Sequence, residues 1–381
     1  MRLLFVSDSF KGSLSSDESA ELLQAAAEEV FGACECAGVP VADGGEGTTQ
    51  AVVSASGGLL RTVRAHDPLM GDMEASYGVL GDGRALIEMA SASGLPLVPE
   101  DRRNPLDTTT YGTGELIRDA LDQGFDQITV ALGGSATNDG GMGCLRALGV
   151  RFLDSEGAEL AGCGADLQRV ARIDTSGIHP RVSGVTFVAM CDVDNPLCGP
   201  DGATYTFGAQ KGATPEIQDQ LERGMQNYRA AIIRDVGIDP DQIPGSGAAG
   251  GLGAALAVFL GAELKSGIET VLDLIGFDQR LKGVSLVVTG EGRTDWQSCH
   301  GKVMQGVGLR CKRHGIPAVG LCGSLGKGFA DIYGHGIESL MVTENGPMSL
   351  GEAMGNVREL YYDAAVRMFR FIRVGMGIDA G

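Results

Sequence analysis

The sequence predicts an α/β protein built on parallel sheets, and three observations carry that reading. Short apolar runs alternate with amphipathic helical segments at both ends of the chain. Most of those runs stop in a loop rich in Gly, Asp, Ser and Thr. The middle of the chain follows a different rhythm, so the two ends read as one domain interrupted by an insertion. A length of 381 residues suits two such domains.

The elements follow in order. Residues 2–7 form a compact apolar run, a buried strand. The loop DSFKGSLS follows, and Ser15 stands three residues before Glu18, which makes a capping box for the first helix. Leu22, Leu23, Ala26 and Val30 give that helix its apolar stripe. CAGVPVA (36–42) predicts a second strand, and DGGEGT opens a second helix. Short strands are expected at 59–65, 73–80 and 85–90, and a helix over 113–123. QITVAL (127–132) runs as a strand into GGSATNDGG, with a helix expected from about 139. VTFVAM (185–190) leads into CDVDNPL, and a long helix covers 216–236. Strand 285–290 ends in EGRTDWQSCHGK; a helix to about 314, strands at 317–325 and 338–343, and a final helix over 350–371 complete the chain.

Composition narrows the function. Glycine occurs 60 times, about twice its usual share of roughly 7%, clustered in loops where a backbone must turn tightly or approach a ligand. The net charge of −19 repels nucleic acid and anionic lipid. The nine cysteines form no CxxC pair and suit free thiols in a reducing, cytoplasmic setting. The longest apolar stretch, 251–264, is shorter than the ~20 residues of a membrane span. Nucleic-acid and membrane partners are therefore not expected. The oligomeric state is left open, a homodimer included.

Ligands of open parallel sheets bind at the carboxyl ends of the strands. Five polar loops fall there: DSFKGS, ADGGEGT, GGSATNDGG, CDVDNP and TGEGRTD. Gly and Asp are common in such turns for purely structural reasons, but several loops here carry acids beside glycines. Glycine-rich loops that open helices offer N–H groups and a helix dipole to phosphate. The acids Asp8, Asp43, Glu46, Asp139, Asp192, Asp194, Glu291 and Asp295 suit Mg²⁺ and the acceptor hydroxyl of a phosphoryl transfer. Lys11, Lys211, Arg293 and Lys302 are the cations in these loops, suited to a carboxylate or phosphate. No GxxxxGK[ST], HExxH or GxSxG is present.

Stretches in this order resemble the type-I glycerate kinase family: DSFKGSLS, VPVADGGEGT, IEMASASGL, TTTYGTGELI, LGGSATNDGGMG, CDVDNPLCGPDGA, FGAQKGA, PGSGAAGGLGAAL, GAELKSGIE and TGEGRTDWQSCHGKV. Trp296 and Cys299 depart from that pattern. The resemblance implies ATP and Mg²⁺ as cofactors, D-glycerate as substrate and its 2-hydroxyl as acceptor. It implies two α/β domains, one a flavodoxin-like parallel sheet built from both chain ends (1–66 plus 285–381), the other inserted (67–284), with the active site in the cleft between them. From its place at the mouth of strand 185–190, beside the turn-forming Asn195-Pro196, Asp192 is expected to orient or deprotonate the acceptor hydroxyl, with Lys11 and Arg293 holding the glycerate carboxylate or stabilising transferring phosphoryl charge. Asp8, Ser9, Lys11, Asn138 and Asp139 are expected to contact glycerate. Gly133, Gly134, Ser135, Thr289, Gly290, Glu291, Gly292 and Lys302 are expected to face the nucleotide, and Asp43, Glu46 and Asp295 the metal.

A nicotinamide-dependent oxidoreductase is the competing enzyme class, since Gly245, Gly247 and Gly250 carry the dinucleotide spacing. That fingerprint needs a preceding strand, and VGIDPDQIP is a poor one. A non-catalytic phosphometabolite-binding protein is a third reading.

Overall fold

The computed structural model describes residues 1–10, 12–45 and 47–377. The chain divides into two compact units, Met1–Asp43 with Ile268–Gly381, and Gly44–Gly267.

The first unit holds a five-stranded sheet in the order Ser339–Val342, Ala318–Cys322, Leu286–Gly290, Arg2–Ser7, Glu35–Gly38, with every pair parallel. Counted within the unit this is 2-1-3-4-5 read from the other edge, the flavodoxin-like order. It is indeed built from both chain ends. The central strands are continuous apolar runs because both faces are covered. Leu3, Phe5 and Val288 join Leu23, Ala26 and Ala27 of the helix Ser16–Phe31 and Tyr361, Ala365 and Phe369 of the helix Val357–Met376 in one core. The predicted capping box is present: the Glu18 N–H donates to Ser15 Oγ at 3.2 Å, and the Glu18 carboxylate accepts from the Ser15 N–H. The strand order reverses between Arg2–Ser7 and Leu286–Gly290. A ligand crevice is expected at their carboxyl ends, beside Asp8 and Gly290–Gly292.

The second unit holds a six-stranded mixed sheet. Glu263–Lys265, Thr186–Met190, Gln127–Ala131 and Ala85–Glu88 run parallel. Asp72–Val79 and Leu59–His66 continue it antiparallel. Its core is the larger, with Ile87, Leu116, Val130, Leu145, Phe152, Phe187, Tyr228 and Leu252 all buried.

Several expected boundaries move. The units divide after residues 43 and 267 rather than after 66 and 284, because the strand Leu59–His66 pairs along its length with Asp72–Val79. The second strand is Glu35–Gly38, earlier and shorter than 36–42, since Pro40 has no N–H to extend the ladder. The helix expected from 139 starts at Met142, because Gly140 and Gly141 both take left-handed conformations (φ +64° and +73°). The last helix is two, Leu350–Gly355 and Val357–Met376, broken at Asn356. The 245–255 segment reaches helix only after three consecutive left-handed residues, Ala249, Gly250 and Gly251. Glycine is needed at 250: a Cβ there would lie 2.0 Å from the Thr137 carbonyl oxygen.

Candidate active site

The second unit gathers its polar loops at the carboxyl ends of its four parallel strands. After Gln127–Ala131 the chain passes through Gly133 and Gly134, both exposed. A Cβ on Gly133 would lie 3.2 Å from the Gly44 carbonyl oxygen and 3.4 Å from the Gly45 Cα. The result is a patch of closely packed glycine backbone made by Gly44, Gly45 and Gly133. Ser135 lies next to it but is buried. The patch is tied down from below. Thr48 Oγ1 accepts from the Gly44 N–H at 3.1 Å and donates to the Gly45 carbonyl at 2.7 Å. Glu88, at the end of Ala85–Glu88, accepts from the Thr49 N–H at 2.5 Å.

Asp192 stands two residues beyond the strand Thr186–Met190, where the sequence placed it. Its side chain is exposed, and Oδ1 accepts a hydrogen bond from the Gly267 N–H at 2.9 Å. Its other oxygen lies 3.9 Å from the place a Cβ on Gly44 would occupy. An open, oriented carboxylate thus borders the glycine patch. Cys191 beside it is no nucleophile: burial pushes its thiol up, and Sγ donates to the Val193 carbonyl at 3.1 Å.

Asn138 and Asp139, expected to contact glycerate, are both completely buried. Asp139 instead folds the loop. Its carboxylate accepts from the Thr110 N–H (2.8 Å) and hydroxyl (2.7 Å), the Gly141 N–H (3.0 Å) and the Gly143 N–H (3.1 Å). Burial raises its pKa in spite of these four donors. Asn138 donates to Thr204 Oγ1 at 3.1 Å. Lys211 is a buried amine that donates to the Thr137 carbonyl at 2.7 Å, so it is no surface anion clamp. Burial pulls it down to about 7, against the pull of the nearby Asp139 charge. The loop 133–141 is therefore held from inside by a carboxylate, an amide and an amine.

The first unit carries the remaining candidates. The Asp8 N–H donates to the Gly290 carbonyl at 2.9 Å, which joins the two loops at the point of strand reversal. Asp8 Oδ1 accepts from the Ser9 N–H at 2.7 Å. Glu291 follows Leu286–Gly290 and accepts from Ser298 Oγ at 2.6 Å. Burial, reinforced by the negative charges of Asp8 and Asp295, raises the pKa of Glu291. Gly292 is open, its Cβ position 3.8 Å from the nearest atom. Gly290 is not: a Cβ there would meet the Leu321 carbonyl at 2.0 Å, so packing against the next strand requires that glycine. Thr289, expected to face the nucleotide, is fully buried within the sheet.

The charged residues pair among themselves. Lys302 Nζ lies 2.5 Å from the Asp43 carboxylate. Arg293 is exposed and 3.6 Å from Asp295. Asp295 caps the turn Trp296–Cys299 by accepting from the Gln297 N–H at 2.9 Å. Lys11 and Glu46 lie outside the described residues. Among the described residues, no three His, Cys, Asp or Glu side chains converge closely enough to hold a metal on their own. Sequence reasoning missed Glu88 and Gly267. Glu88 had a signal, an acid at a strand end in IEMAS; the Gly267 N–H had none, because its partner lies 75 residues away.

Glycine-backed loops and single carboxylates at the carboxyl ends of parallel strands accord with a phosphoryl-transfer type of enzyme, and comparison with known proteins makes the class specific. The family model described as "Glycerate kinase family" matches residues 3–373. The chain is 44% identical over 360 residues to the glycerate kinase of Bacillus subtilis (strain 168), covering 94% of each chain. It is 42% identical over 379 residues to the glycerate 2-kinase of Escherichia coli (strain K12), covering 99% of this chain and 98% of that one. A crystal structure assigned as glycerate kinase 2 from Salmonella typhimurium LT2 superposes with a TM-score of 0.90 at 41% identity, covering 99% of this chain and all of that one. The chain belongs to the glycerate kinase family, and it is a kinase.

Proposed function

We propose that this kinase transfers the terminal phosphoryl group of ATP to the 2-hydroxyl of D-glycerate, giving 2-phosphoglycerate and ADP. The observation that carries the mechanism is Asp192, an exposed carboxylate oriented by the Gly267 N–H and bordering the bare backbone of Gly44. In this reading Asp192 accepts a hydrogen bond from the acceptor hydroxyl and takes its proton as the new O–P bond forms. The patch of Gly44, Gly45, Gly133 and Gly134 receives phosphate oxygens. Lys302 and Arg293 supply positive charge in the first unit, where Asp8 and Glu291 hold the loops at the strand reversal.

The donor set fits Mg²⁺. The open acids are hard oxygen ligands, and Mg²⁺ carried on a nucleotide needs only one or two of them. Asp8, beside the Gly290–Gly292 loop of the first unit, is the residue that would hold it. When bound, it neutralises charge on the transferring phosphate. The buried Asp139, Asn138 and Lys211 act one layer back, keeping the 133–141 loop in place. A cytoplasmic setting belongs to this reading.

An ADP-release assay tests the proposal. ADP should appear only when ATP, Mg²⁺ and D-glycerate are all present. ADP formed equally well without glycerate would overturn it.

The nicotinamide reading loses its support. Gly245, Gly247 and Gly250 follow the short turn Pro240–Gln242 rather than a strand, and a Cβ on Gly247 would meet the Pro196 carbonyl at 2.1 Å, so that glycine serves packing.

A further inference from the structure

The sequence reads Cys34-Glu35-Cys36 at the start of the strand Glu35–Gly38. That strand is an outer edge of the first unit's sheet, paired on one side only with Arg2–Ser7. Residues two apart in extended chain point to the same face. The two sulfurs accordingly approach to 3.5 Å, close enough for one thiol to donate to the other. Both side chains are half-buried rather than sealed. Five of the other seven cysteines, Cys144, Cys198, Cys299, Cys311 and Cys322, are buried. Beside the pair lies an open groove of about 710 Å³ lined by Arg2, Cys34, Glu35, Gly283 and Ser285. Cys34 faces this groove; Cys36 is not among its lining residues.

We infer that Cys34 and Cys36 form a reversible redox pair, in which a peroxide entering by the groove oxidises Cys34 and Cys36 then closes an intrachain disulfide. The sulfur of Cys34 attacks the peroxide O–O bond, giving a sulfenic acid and releasing one water. Cys36 sulfur then attacks the sulfenic sulfur and expels the second water. Two thiols lose two hydrogens and two electrons, and hydrogen peroxide takes them up. The sulfurs need to close from 3.5 Å to about 2.05 Å. A ring closed over a single intervening residue forms under strain, so the disulfide is the labile kind that a thiol reductant reopens. The pair sits where the strands begin, since Cys36 is level with Leu3. Oxidation there is expected to leave the kinase turnover in place.

The test treats the folded protein with hydrogen peroxide, then counts free thiols and maps peptides by mass spectrometry. Two of nine thiols should disappear, the peptide holding Cys34 and Cys36 should lose two hydrogens, and dithiothreitol should restore both. In Cys36→Ser, dimedone should trap a sulfenic acid on Cys34. Cys34→Ser should keep its Cys36 thiol under the same dose. Phenylarsine oxide, which bridges two adjacent thiols, should protect the pair in the native chain and in neither variant. No change in this peptide, oxidation confined to other cysteines, or a sulfinic acid without a disulfide would each overturn the inference.

Discussion

Asp192 Oδ1 accepts a hydrogen bond from the Gly267 N–H at 2.9 Å, across 75 residues of sequence. The bond fixes the carboxylate that borders the Gly44 backbone without burying it. An acid held this way is ready to receive a proton and has little to do with stability. Asp192→Asn should therefore lower kcat by about 10²–10⁴-fold while leaving the thermal midpoint and the KM for glycerate close to those of the parent. Steady-state kinetics with a melting curve decide this. Near-normal kcat would remove Asp192 from the chemical step.

Lys302 and Asp43 make a pair that is partly open to solvent. Such pairs contribute about 0–1 kcal/mol to stability. Lys302→Met should thus melt almost like the parent, yet raise the KM for ATP by about tenfold, the equivalent of ~1.4 kcal/mol of lost charge contact. An unchanged KM with a large fall in melting temperature would recast Lys302 as a structural residue.

Asp139 has the opposite profile. Its carboxylate is sealed and accepts from Thr110, Gly141 and Gly143. Asp139→Ala leaves those buried donors unpaired and should cost about 3 kcal/mol or more. Urea unfolding measures this directly. Full stability combined with a selective rise in the KM for glycerate would show instead that Asp139 meets substrate.

Lys211 sets a pH dependence. Its folded-state pKa is about 7, below its ordinary value of 10.5. The unfolded chain therefore binds a proton that the folded chain does not between those values. Stability from this group rises with pH across that window and is lost as pH falls back towards 7. The buried thiols act the other way above pH 9. Burial pushes Cys311 up to about 12 and Cys322 up to about 11, so the unfolded chain ionises them first and folded stability falls there. The clean measurement is the difference in urea midpoint between the parent and Lys211→Met from pH 7 to 9. The parent should gain on the variant as pH rises. A flat difference would mean that Lys211 stays fully charged in the fold.

Much of the architecture was legible because it rests on local signals. The apolar run at 2–7, the Ser15 and Glu18 capping box and the strand at 285–290 all appear where their patterns put them. The parallel sheet built from both chain ends followed from matching rhythms at the two termini. The loop residues were harder. Sequence marks Asp139, Asp192 and Asp295 as the same kind of acid. Only packing shows that the first is sealed under the Thr110 backbone, the second is open and the third caps a turn. Glycines divide in the same way. Gly133 is exposed, whereas Gly250 and Gly290 are buried and leave room for a carbonyl about 2.0 Å from where a Cβ would sit. Burial and the partner across tens of residues decide these roles, and neither is written in local spacing.

The central claim is the reaction itself. The most direct measurement is phosphorus NMR of a mixture of this protein with ATP, Mg²⁺ and D-glycerate. The account predicts growth of the 2-phosphoglycerate resonance in step with ADP. Absence of any phosphorylated glycerate would contradict it, and formation of 3-phosphoglycerate would contradict the assignment of the 2-hydroxyl as acceptor.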